Sequence, residues 1–124
     1  MLVTIQREQG LISKHNALEI KNYGKYDSLS GACGCGILDD GTVMGKYLGF
    51  ENQIKGACAT YRHWFNVFKA DTPIEILDKD VKTSIPQSAI TLSLLKYTPH
   101  ILALKLTETI YKEYFGEWLN ANPV

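Results

Sequence analysis

The chain of 124 residues carries thirteen basic and thirteen acidic side chains, so its formal net charge is zero. A hydrophobic fraction of 45% with 21% charged residues is that of a single globular domain, residues 1–124, and excludes a disordered chain. Zero net charge lacks the Lys and Arg surplus that phosphate-backbone binding needs, which points away from nucleic acid and towards self-association.

Three cysteines, an odd number, argue against a disulfide framework and for a reducing compartment. The stretch Met1 to Glu8 lacks the basic region and apolar run of a signal peptide. Nor does any stretch approach the roughly 18 uninterrupted apolar residues of a membrane span. The expectation is a soluble cytoplasmic protein with no membrane association.

Strand signals dominate the first fifty residues. Leu2 to Gln6 is short and rich in β-branched residues, and it stops at Gln9-Gly10. Leu11 to Lys14 and Ala17 to Asn22 read as further strands, or as one strand broken at His15-Asn16. Ala32 to Leu38 and Thr42 to Leu48 are joined through Asp40-Gly41, a dipeptide suited to a type I′ hairpin. Alternation puts Cys33, Cys35 and Ile37 on one face of the first of these strands. Ala32, Gly34 and Gly36 take the other, leaving it nearly bare backbone.

From about residue 51 to 69 the period changes to that of a helix, with Ile54, Ala57, Cys58, Tyr61, Phe65 and Phe68 as its apolar stripe. Thr72-Pro73-Ile74-Glu75 and Ser84-Ile85-Pro86-Gln87 match capping boxes. They predict short helices over about 73–79 and 86–96, although Ile90, Leu92 and Leu94 also alternate as in a strand. Thr98-Pro99 opens a last helix, to about 119. Its apolar arc of Ala103, Leu104, Leu106, Ile110, Tyr111, Tyr114, Phe115, Trp118 and Leu119 is wider than a surface helix needs. The predicted fold is α+β: an N-terminal antiparallel sheet of three to five strands, then a helix at 51–69 and a helical C-terminal half packed on one face.

Tyr47-Leu48-Gly49, followed by Ala57, Ala59 and Tyr61, resembles the third strand and helix of the ethylene-response-factor type of DNA-binding domain. That family builds three strands and a packed helix, similar in layout to residues 22–69 here, and the resemblance implies a sheet-type nucleic-acid-binding module. It covers about a third of the chain. The family's strands carry arginines and tryptophans to the major groove, whereas these positions hold glycine, alanine and cysteine. Donors for bases and phosphates are therefore missing.

No chemical motif is complete. Cys33-Gly34-Cys35 has one residue between its thiols rather than the two to four usual for zinc, and Cys58, His15, His63 and His100 stand at no ligand spacing. On helical geometry Cys58 and His63 face about 140° apart, so they form no local nucleophile–base pair. The reading is a binding or interaction module without catalytic constellation, metal or cofactor, forming a homodimer through Tyr111, Tyr114, Phe115 and Trp118. The alternative is a domain for an unidentified small ligand, or an enzyme, with a pocket on the bare glycine face lined by Gly34, Gly36, Tyr47 and His63.

Overall fold

The structure, a computed structural model, describes residues 1–13, 19–78 and 83–121. The predicted strand break at His15-Asn16, the carboxylate of Asp80, the side chain of Leu119 and the last three residues of the tail lie outside them.

The chain is mostly helical, and the predicted N-terminal sheet of three to five strands is not found among the described residues. In chain order the elements are α1 (Leu2–Gln9), a single 3-10 turn (Gly45–Tyr47), α2 (Phe50–Asn66), β1 (Ile74–Glu75), β2 (Thr83–Ser84), α3 (Ala89–Tyr97) and α4 (Ile101–Ala121). The one ladder among the described residues is antiparallel β1–β2, with Ile74 opposite Ser84. Between α1 and α2 the strand pairing among the described residues is limited to isolated bridges, Asn22 with Asp27 and Ile37 with Val43. The three-strand layout that the DNA-binding resemblance implied for residues 22–69 is therefore absent as well. Packing divides the chain into two compact units, residues 1–59 and 60–124.

In the first unit, Leu2 to Gln6 is helix rather than strand. A strand gains stability only from a neighbour on its edge, and none of the described residues offers one to Leu2 to Gln6. A helix satisfies its backbone by itself, and Gly10 at φ 62° ends it in the left-handed cap, its N–H donating to the Gln6 carbonyl. The Gln6 side chain then accepts from the N–H groups of Ile12 and Ser13, fixing the exit of the chain. Thr4 and Ile5 are the buried positions of α1.

The segment from Gly31 to Met44 doubles back as predicted but never becomes a pair of strands. Gly34 and Gly36 have φ of 69° and 71°, and residues in that region break an extended run. Gly34 N–H donates to Gly31 O and Ile37 N–H to Gly34 O, which makes successive tight turns. With alternation lost, the two-face reading fails: Ala32, Cys33 and Cys35 are all buried.

Helix α2 lies where the periodicity puts it, but its buried face is rotated by one residue. Gln53 and Ala57 are buried, while Cys58 and Phe65 are exposed. The cause is Gln53, whose side-chain amide is fully occupied by backbone partners and takes the place of an apolar anchor.

In the second unit, the predicted helix over 73–79 is β1 and its extension. Ile74 and Ile76 are buried and Glu75 and Leu77 exposed, a period-2 pattern that outweighs the capping signal before it. Residues 89–97 resolve to helix. Its cap is Ser88, whose Oγ accepts from Thr91 N–H at 3.1 Å; Ser84 belongs to β2. The core joins Ile74, Ile76, Leu92 and Leu95, with Trp64, Phe68, Ile101 and Leu104 packed around them. Asp78, just beyond this extension, caps α4 from a distance. Its Oδ2 accepts from Ile101 N–H at 2.6 Å and its Oδ1 meets His100 Nδ1 at 3.1 Å.

Candidate functional site

Of the four residues predicted to line a ligand pocket, Tyr47 is a direct partner in a lock around Gln53, and Gly34 and Gly36 lie in or beside the segment that it holds. The Gln53 Oε1 accepts from Cys33 N–H at 3.1 Å and Cys35 N–H at 3.0 Å. Its Nε2 donates to the carbonyls of Cys35 at 2.8 Å and Tyr47 at 2.6 Å. One side chain thus satisfies four backbone groups of a segment with no sheet of its own to do so. Gln53 is wholly buried.

The glycines make room for this lock. The Tyr47 ring covers Gly36 so closely that a Cβ there would lie 2.5 Å from Tyr47 Cδ2. On α2, a Cβ at Gly56 would lie 2.6 Å from Cys35 Sγ and 2.9 Å from Tyr47 Cδ1. At Gly34, a Cβ would meet the Glu8 carboxylate at 3.1 Å. The structure therefore brings Gly36 and Tyr47 together and sets Gly34 against Glu8, so side chains of this chain occupy the space next to each glycine. His63 belongs to the other unit, on the exposed side of α2, with its ring edge-on to Trp64 at 4.8 Å.

The thiols differ in environment. Cys33 and Cys35 are buried and Cys58 is exposed. Burial pushes the Cys33 thiol up to about 11, helped by the nearby Cys35 and Glu8. It is therefore protonated at neutral pH, the wrong state for a nucleophile or metal ligand. No group of three or more His, Cys, Asp or Glu positioned for a metal occurs among the described residues.

The predicted interface residues share one face of α4. Tyr111, Tyr114, Phe115 and Trp118 stand at i, i+3, i+4 and i+7, the spacing of a helix-packing seam. Tyr111, Tyr114 and Trp118 are 42%, 39% and 60% exposed. Phe115 is half-buried, and its ring rests on that of Tyr111, centroids 5.2 Å apart. Glu108 and Lys112 are already joined at 2.7 Å along the same helix, so these two flanking charges are balanced. Sequence reasoning missed Gln53 and the Asp78–His100 pair. Gln53 left one signal, a polar side chain four residues before Ala57 on the edge of the stripe.

No protein-family model matches the chain, and no curated protein or solved structure is significantly similar to it. None of its described helices is long and apolar enough to cross a membrane.

Proposed function

We propose that the protein is a cytoplasmic interaction module that forms a two-fold homodimer through the aromatic face of α4. The observation that carries this reading is the exposure of Tyr111, Tyr114 and Trp118 at seam spacing. Aromatic side chains arranged in this way mark protein–protein contacts more often than they serve solubility. Two copies crossing at this face meet isologously, the same patch on both sides, so each contact between two different rings occurs twice.

The area bounds the size class of the contact. An aromatic side chain covers roughly 150–250 Å², so the three exposures leave roughly 300 Å² of ring surface per copy. Doubled, that falls below the about 1,200–2,000 Å² of stable complexes, which places the dimer among weak, concentration-dependent ones. Sedimentation velocity from about 10 to about 500 µM tests it. The weight-average coefficient of the wild type rises across this range, and that of Tyr114→Ser/Trp118→Ser stays at the monomer value. A wild-type coefficient that stays flat at the monomer value refutes the proposal.

A further inference from the structure

A groove of about 350 Å³ opens within the second unit, between the end of α2, β1 and α3. Trp64 and Phe68 contribute rings, Ile74 and Leu92 the apolar floor, and Pro73 and Pro86 flat walls. Among the described residues, the only charged side chains lining it are Lys69 and Lys96, and none lining it is acidic. The volume falls at the small end of ligand sites, about 300–1,000 Å³.

We propose that this groove binds a small aromatic carboxylate, its ring against Trp64 and Phe68 and its carboxylate at the ammonium groups of Lys69 and Lys96. Two observations select this class. First, ring and proline surfaces favour a flat apolar body over a branched one. Second, the charges at the rim have one sign. Lys96 Nζ lies 4.6 Å from the centroid of the Trp64 ring, so its position is set before a ligand arrives and less side-chain freedom is lost on binding. Neither lysine forms an ion pair with a carboxylate among the described residues, which leaves both ammonium groups to an incoming anion. A cation would be repelled from the same rim, and an inorganic anion alone would forgo the apolar floor.

The test is an amide and indole NMR titration of the full chain with 3-phenylpropionate, 3-phenylpropanol and inorganic phosphate. The acid shifts the Trp64 indole and the Leu92 and Lys96 amides saturably. The alcohol, which forfeits both ammonium contacts, binds about ten-fold more weakly, in keeping with two solvent-exposed ion pairs, and phosphate leaves these signals in place. Lys96→Met keeps the aliphatic stem on Trp64 but removes one of the two ion pairs and weakens the acid by about three-fold, while Lys105→Met on α4 has no effect. The proposal is overturned if the acid gives no saturable shift, if the alcohol binds equally well, or if Lys96→Met binds the acid as tightly as wild type does.

Discussion

Gln53→Leu removes the lock of the first unit while keeping roughly the same side-chain volume. Four hydrogen bonds disappear, and two of them leave the N–H groups of Cys33 and Cys35 without their acceptor in a buried site. A buried donor left unsatisfied costs about 1–3 kcal/mol. The two N–H groups therefore cost about 2–6 kcal/mol before the carbonyls of Cys35 and Tyr47 are considered. Domains are stable by only about 5–15 kcal/mol, so the segment from 31 to 47 comes loose well before the chain as a whole unfolds. The local reporter is thiol labelling in native buffer. In wild type only Cys58 reacts quickly; in Gln53→Leu, Cys33 and Cys35 join it, with opening rates up by at least about thirty-fold for a 2 kcal/mol loss. Urea unfolding followed by circular dichroism gives the global change. If Cys33 and Cys35 stay protected and the midpoint moves by less than about 1 kcal/mol equivalent, the amide is not what holds this segment.

Two further outcomes follow from the same packing. Gly56→Ala gains about 1 kcal/mol of helix propensity, yet its methyl would sit 2.6 Å from Cys35 Sγ. A net loss of about 1–3 kcal/mol in urea unfolding is expected, and a stabilised variant would show that the site has slack. Cys33, held protonated up to about 11 in the folded chain, ionises near its ordinary 9.0 once unfolded. Protons are thus released on unfolding between these values, so stability is intact below pH 9 and falls from there towards 11. Cys33→Ala flattens that slope in unfolding measured against pH, and an unchanged slope would assign it to another group.

The sequence revealed α2 and α4 because each has a long apolar period that only one geometry satisfies. It misled at Leu2 to Gln6 and from Ala32 to Leu48, where short runs suit a strand locally but the partner strands never form. Gly34 and Gly36 were visible as strand-weakening residues. What could not be read was that each takes a left-handed conformation and that a glutamine about twenty residues on collects the freed backbone groups. The capping box over 72–75 signals a helix start, whereas burial of Ile74 and Ile76 in the core makes the segment extended. The predicted interface residues do share a face of α4 with three of their rings exposed, because a regular helix fixes which residues neighbour each other. The groove beside Trp64 is assembled from α2, β1 and α3, so no local pattern announced it.

The dimer is tested most directly by isotope-filtered NOE spectroscopy on a mixture of labelled and unlabelled full-length chain at high concentration. Intermolecular cross-peaks from the rings of Tyr114 and Trp118 to α4 of the second copy are predicted, and they vanish in Tyr114→Ser/Trp118→Ser. A spectrum without intermolecular cross-peaks, or with cross-peaks confined to other exposed apolar residues such as Leu29 and Leu38, would contradict the α4 interface.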